Sequence, residues 1–306
     1  EERCGYYVSP EMKKVWAVEL DLIAEFARVC EKYNLKWWAD SGTLLGSVRH
    51  NGFIPWDDDV DVIMMRKDYE RLCEIADKEF KPPYCLRTAW NDRRILPWGK
   101  LHNEDTTMLE NTAVTMLKKG YNNLNFSQGV FIDIFICDDV PDDKKQFVKI
   151  LKSAQSTYSK ASHIFNWTVQ YYPSDNIFKR PIKALLHYLF TMLNTKYMPY
   201  YEKAMQELSS YRNPNSKYLS RLCGLLWHPA DFVISRLWER SLFENTIYFP
   251  FEILKIPVPS GYERILTLYY DDWREPVITH THGKLYDTEH SYKYYTEEGH
   301  PLPEVK

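Results

Sequence analysis

Asp59 and Asp61 stand two residues apart in the segment Asp57-Asp58-Asp59-Val60-Asp61-Val62. In an extended chain, side chains two apart leave on one face. The two carboxylates can therefore grip one cation while Val60 and Val62 point into a core. A third carboxylate from an adjacent strand would complete a two-metal platform for phosphoryl chemistry. Asp133 offers it, framed by Ile132 and Ile134 in the same apolar, acidic, apolar order. An acid buried alone on such a strand is costly, so a cation partner is the economical explanation. Acidic clusters more often form a solvated face. Asp57 and Asp58 fit that reading, as residues that shape a turn, whereas the strand alternation argues against it for Asp59 and Asp61.

Leu45, Gly46 and Ser47 precede Asp59, with eleven residues between Ser47 and Asp59. Gly46 supplies a backbone that a phosphate can approach closely, and Ser47 a hydroxyl donor. Arg49 and His50, between this Gly-Ser turn and the acids, form a cationic pair placed to meet donor phosphates. His280 and His282 would share a face if extended, but two histidines in a tail are more often solvated, and no zinc site is expected there.

The elements that must hold these groups are legible from periodicity. Ser9 and Pro10 start a helix on which Val15, Val18, Leu22, Phe26, Val29 and Tyr33 recur at helical spacing. Lys36 to Ala39 reads as a short strand feeding a turn at Asp40 to Gly42, with Trp37 and Trp38 as core packing. Val60 to Met64 reads as a second strand, Arg66 to Phe80 as a helix, Tyr84 to Arg87 as a strand, and Val130 to Ile136 as the strand carrying Asp133. From Asp142 to about Arg240 the pattern is mainly helical. Tyr248 to Val258 is extended, a helix follows from Gly261 to about Asp271, and the tail from Trp273 is irregular and rich in His and Tyr. Three regions result: a catalytic core over 1–141, a helical region over 142–245, and a C-terminal segment over 246–306 that completes the core. The fold class is α/β (α+β in stricter terms), a mixed sheet with flanking helices and a mostly helical second region.

Composition narrows the partners. Lys and Arg number 39 against 42 Asp and Glu, a formal charge of -3, which gives no electrostatic reason to expect nucleic acid. The six cysteines show no CxxC pair and no His at metal-ligand spacing, which fits a reducing, cytoplasmic compartment. The longest apolar stretch, Ala184 to Thr195, falls short of the roughly 20 residues a membrane span needs. It is expected as a buried helix. The alternative is a helix lying on the inner face of a membrane, with Lys179, Arg180, Lys183 and Lys196 against anionic headgroups.

The order apolar-Gly-Ser, spacer, alternating acids, later strand acid resembles the nucleotidyltransferase superfamily. The fuller resemblance is to the LicD family, which includes bacterial phosphocholine transferases and, more distantly, fukutin and fukutin-related protein. It is carried by GTLLGSVRHNGFIPWDDDVDV with the RKDYERL that follows, by GKLHNEDTT (99–107), by GVFIDIF (129–135) and by IPVPSGYERILTLYYDDW (256–273). This resemblance implies a nucleotidyltransferase-type sheet and a metal-dependent transfer of a phosphoalkyl group, most often phosphocholine from CDP-choline. The acceptor would be a hydroxyl of a teichoic acid, lipopolysaccharide or lipid-linked glycan, and CMP would be released. Asp59, Asp61 and Asp133 would hold Mg2+ (or Mn2+), with Asp133 activating the acceptor, and Gly46, Ser47, Arg49 and His50 would hold phosphates. Lys100 matches a family position resembling a phosphate or substrate contact, with a surface lysine as the plain alternative. Other readings are a CDP-ribitol or CDP-glycerol donor, a nucleotidylyltransferase that releases pyrophosphate, and a noncatalytic binding protein. The last is disfavoured by the presence of all three acids.

Overall fold

The computed structural model describes residues 1–118, 124, 126–169, 176–193, 195–270, 272–278 and 284–302. His280 and His282 lie outside the described residues. In chain order the elements begin with a small hairpin, β1 (Glu2–Arg3) and β2 (Tyr6–Tyr7), then α1 (Pro10–Lys32), β3 (Trp37–Ala39), α2 (Ser41–Arg49), β4 (Asp61–Met65) and α3 (Arg66–Glu79). Next come β5 (Tyr84–Arg87), β6 (Gly99–Asn103), β7 (Thr107–Leu109), α4 (Asn111–Lys118) and β8 (Val130–Val140). Helices α5 (Lys144–Thr168), α6 (Arg180–Met192) and α7 (Met198–Leu208) follow, then β9 (Tyr218–Ser220), α8 (Ala230–Ile234) and β10 (Trp238–Glu239). The chain closes through β11 (Thr246–Phe251), β12 (Leu254–Pro259), α9 (Tyr262–Tyr270), β13 (Leu285–Asp287) and α10 (Tyr292–Thr296).

Internal packing divides the chain into two compact units. One comprises residues 1–94, 98–137 and 238–306, the other 95–97 and 138–237. In the first, the sheet is mixed. β3 runs antiparallel to β4, β4 parallel to β8, β8 antiparallel to β6, and β6 antiparallel to β5. The β-branched and apolar residues of the central strands fill both faces: Val62, Ile63, Met64, Ile132 and Ile134 are all buried. Helix α1 starts as its sequence dictates, with Ser9 Oγ accepting from the Met12 amide at 3.0 Å and Pro10 in the first turn. Its apolar stripe of Leu22, Phe26 and Val29 is buried against the core. Trp37 and Trp38 are packing residues, as expected, and the Trp38 indole donates to Thr246 Oγ1 at 2.9 Å.

Four local expectations are corrected. The segment after β3 is no turn. Ser41 takes a positive φ of 47° and α2 begins there, so Gly46 and Ser47 sit inside a helix. The β4 ladder starts at Asp61, one residue later than expected, which leaves Asp59 in the irregular stretch before it. The extended run over 248–258 is a hairpin of β11 and β12. The tail is not wholly irregular, since β13 returns to pair antiparallel with β7, Leu285 opposite Leu109 and Asp287 opposite Thr107.

In the second unit, α5 and α7 pack together through Phe147, Leu151, Tyr158, Tyr201 and Leu208, all buried. Beyond Leu208 the long helices give way to short elements, among them β9, which pairs with Asp138–Val140 at the end of β8. Helix α6 has no buried residue, contrary to the expectation of a buried helix. It touches α5 through one face: His187 Nδ1 lies 2.6 Å from the Trp167 carbonyl, and Phe190 stacks on the Trp167 ring.

Candidate active site

Register brings two of the expected acids together. Asp61, the first residue of β4, stands opposite Asp133 on β8 in the parallel pair. The local backbone is pinned on both sides: the Asp133 amide donates to the Val60 carbonyl at 2.8 Å, and the Asp61 amide to Thr43 Oγ1 at 2.8 Å. Asp59 does not share the ladder. It belongs with Asp57 and Asp58, whose carboxylate oxygens, with its own, lie within 4.8 Å of one another. This is the group of three close enough to hold one ion among the described residues, and hard oxygens in that number suit Mg2+ or Mn2+.

Strand pairing accounts for the surroundings of Asp133. Lys100 on β6 is its antiparallel partner, and the ammonium reaches the carboxylate at 2.9 and 3.1 Å. The Trp98 indole donates to the same carboxylate at 2.6 Å. Burial pushes the Asp133 carboxyl up from its ordinary value, and Lys100 opposes the shift. Lys100 is itself buried, 3.3 Å above the Phe131 ring centre and 3.6 Å from Glu110. Burial would raise Glu110 too, but Lys100, Arg94 and Lys284 hold it down at about 2. Lys100 is therefore no surface lysine.

A second buried cation was not signalled by any motif. Lys284, just ahead of β13, lies 3.0 Å from the Asp58 carboxylate and 3.5 Å from that of Asp59, and it donates to the Asp58 carbonyl at 3.1 Å. The Tyr286 hydroxyl donates to the other Asp58 oxygen. Asp58 is thus a buried, charge-paired residue and does more than shape a turn. Burial would lower the Lys284 ammonium, but Asp59, Asp58 and Glu19 hold it above its usual range. Glu19, on α1, is fully buried and neither of its oxygens accepts a hydrogen bond. Burial pushes it well above the carboxylate range, and Lys284 opposes the shift. The only sequence sign of Glu19 was a charged residue on the apolar stripe of α1.

The expected phosphate-holding residues are placed differently from one another. A Cβ on Gly46 would run into the Gly52 carbonyl, so this glycine lets the 52–54 loop press on α2. Ser47 is buried, and its hydroxyl donates to the Leu44 carbonyl at 2.8 Å. Arg49 donates through Nη1 to the Trp273 and Glu275 carbonyls at 2.8 and 3.3 Å, and through Nε to His50 Nε2 at 2.9 Å. The cationic pair is corrected: burial, then the charges of Arg49 and Arg3, pull His50 down to about 4, so at neutral pH it accepts from Arg49 as a neutral ring. Arg49 lines a cavity of about 250 Å³ with Gly42, Trp56, Asp57, Tyr270 and Trp273, at the edge of the acidic cluster. The tail tyrosines hold the tail: Tyr295 donates to Asp287, and Tyr294 stacks between His290 and His300.

A mixed sheet bearing clustered carboxylates and buried cations at the head of its central strands is an arrangement for handling phosphate groups. Residues 34–117 match the family described as LicD/FKTN/FKRP, nucleotidyltransferase domain. The chain is 28% identical over 261 residues to the lipopolysaccharide cholinephosphotransferase LicD of Haemophilus influenzae, an alignment that covers 83% of this chain and 88% of that protein. An uncharacterized protein of Rickettsia prowazekii is 46% identical over 54 residues, 18% of this chain and 20% of the relative. Residues 34–117 thus match a LicD-type nucleotidyltransferase domain, and the similarity along most of the chain to a cholinephosphotransferase supports a transferase of phosphate-containing groups.

Proposed function

We propose that the protein transfers phosphocholine from CDP-choline to a hydroxyl of a cell-surface glycan of the lipopolysaccharide type, releasing CMP. The convergence of Asp57, Asp58 and Asp59 beside the Asp61–Asp133 pair carries this reading. The similarity to a cholinephosphotransferase along most of the chain supports the group transferred. In the reaction the acceptor oxygen bonds to the choline-bearing phosphorus, the anhydride bond to CMP breaks, and the hydroxyl proton leaves. Asp59 and Asp61, with Asp57 beside them, would hold Mg2+ (or Mn2+), which supplies charge neutralisation at the donor diphosphate. Asp133, expected as a third ligand, is engaged by Lys100 and Trp98, and its raised affinity for a proton suits it to take the acceptor's proton. Lys284 fixes Asp58 and Asp59 so that the acids are preorganised before donor arrives. Given CDP-choline, CDP-ribitol and CDP-glycerol at equal concentration, the protein should consume CDP-choline first, with each product followed by mass. Preference for either polyol donor overturns the choline assignment, and pyrophosphate among the products overturns the transfer chemistry.

Work at a lipid-linked acceptor calls for a membrane contact, and α6 supports one. No helix of the described residues is long and apolar enough to cross a membrane. However, Ile182, Leu185, Leu189 and Met192 are exposed along one side of α6, opposite the His187 and Phe190 face that meets Trp167, and Phe178 just ahead of the helix is exposed too. Lys179, Arg180 and Lys183 lie at its N-terminal end, and it has no acidic residue. An apolar stripe of this kind inserts shallowly among lipid headgroups, and the cations select an anionic leaflet. An anionic leaflet as the surface supports the reading of a cytoplasmic protein working at the inner face of the membrane. In flotation assays the protein should rise with phosphatidylglycerol-containing vesicles, and Leu185→Asp with Leu189→Asp should cut the bound fraction about tenfold. No binding to either vesicle type would remove the membrane reading.

A further inference from the structure

The second unit holds a cavity of about 530 Å³ lined by Gln155, Tyr158, Ser159, Ser162, His163 and Trp227, together with the His228 turn. We propose that this cavity is a saccharide subsite that takes a pyranose ring of the acceptor, a proposal that rests on the glycan-acceptor reading above. Its volume lies within the range of about 300–1,000 Å³ typical of small-molecule sites. Trp227 is 55% exposed, yet its ring is fixed edge-on to Tyr158, with centres 5.6 Å apart at 84°. The Tyr158 hydroxyl is consumed by the Ile95 carbonyl, so Tyr158 presents an apolar ring and no donor. A large aromatic surface left open to solvent and held in one orientation matches the C–H face of a pyranose.

The hydrogen-bonding sense of the polar groups around it can be read. Gln155 Nε2 donates to the His228 carbonyl at 2.7 Å, which leaves the Gln155 carbonyl oxygen as the acceptor end. His163 Nδ1 lies 2.7 Å from the Ser159 carbonyl. A carbonyl only accepts, so Nδ1 carries a proton and donates there, which leaves Nε2 for a ligand. The hydroxyls of Ser159 and Ser162 can donate or accept. The rim thus offers hydroxyls, an imidazole nitrogen and the Gln155 carbonyl oxygen, a set that sugar hydroxyls can pair with. No carboxylate, lysine or arginine lines the cavity among the described residues. A nucleotide phosphate would find no lysine or arginine there, and a choline headgroup no carboxylate, whereas an uncharged polyol ring needs neither.

The test is saturation-transfer NMR on the full chain without donor, with galactose, glucose and lactose as probes and mannitol and choline chloride as controls. Ring C–H protons of the pyranoses should show transfer, and the acyclic mannitol and choline should show none. Trp227→Ala should weaken pyranose binding by about tenfold or more, while Trp227→Phe, which keeps a ring, should retain part of it. With a glycan acceptor, Trp227→Ala should raise KM and leave kcat near wild type. The proposal is overturned if no pyranose gives a signal at about 10 mM, a weak-binding concentration. It is also overturned if Trp227→Ala and Ser162→Ala bind as wild type, or if choline occupies the cavity. Because binding is read without donor, failure of CDP-choline turnover would remove the function proposed above and leave the subsite standing, and absence of pyranose binding would do the reverse.

Discussion

Asp61→Asn is expected to lower CMP release from CDP-choline by roughly 10²- to 10³-fold or more, the loss typical of removing one charge-stabilising group from a reaction centre. Asp59→Asn should do the same. Asp61 keeps its backbone bonds to Thr43 and Asp40 in the variant, because its amide and carbonyl make them. The amide side chain is nearly isosteric with the acid, so only the charge changes and the fold should survive. Asp58→Asn is the informative contrast. Its carboxylate faces Lys284 and Tyr286 in a buried setting, so neutralising it leaves the Lys284 ammonium with Asp59, at 3.5 Å, as its carboxylate partner and should lower thermal stability as well as turnover. Titrating Mg2+ and Mn2+ against CMP release at equal folded protein separates these cases. Unchanged turnover in Asp59→Asn and Asp61→Asn would remove the metal-platform reading.

How much of this could be read from the sequence follows from how local each feature is. Helix α1 announces itself through Ser9, Pro10 and a 3.6-residue apolar stripe, and β8 through an unbroken β-branched and aromatic run. Asp133 stood out because an acid in that run has no local reason to be there. Alternation also located Asp61, but its reach to Asp59 failed because the ladder ends between them, and no residue type marks that end. Helix α2 was hidden by Ser41, whose positive φ reverses the chain in a way that a serine does not advertise. The buried pairs were out of reach for another reason. Lys284 meets Asp58 across 226 positions, through the pairing of the tail strand β13 with β7. Lys100 meets Asp133 only because β6 and β8 adopt one register out of several that the apolar pattern allows. Exposure of α6 is illegible for a related reason, since an apolar stripe looks the same whether a protein core or a lipid covers it.

The register pairing of Lys100 with Asp133 leads to the largest expected change in stability. Lys100→Met should cost about 3–5 kcal/mol, the usual consequence of removing one partner from a buried ion pair. Asp133 would keep the Trp98 indole as a donor but lose its buried cation, and Glu110 would be left to Arg94 and the more distant Lys284. Methionine fills much of the lysine's volume over Phe131, so the loss would be electrostatic and not a cavity effect. Asp133 is already raised by burial against the pull of Lys100, and without that pull its folded-state affinity for a proton rises further. Between the unfolded value and this raised folded value, the folded state would then bind more protons than the unfolded one. The variant's stability should therefore fall as pH rises through that window, and it should be least destabilised in mild acid. Adding Asp133→Asn to Lys100→Met removes the stranded charge and should restore most of the stability without restoring turnover, because the group that takes the acceptor's proton is gone. Urea unfolding of the single and double variants between pH 4.5 and 8 reads both expectations. A single variant within about 1 kcal/mol of wild type, the size of an exposed ion pair, would mean that solvent reaches Asp133 and that Lys100 is not the cation that makes its burial tolerable.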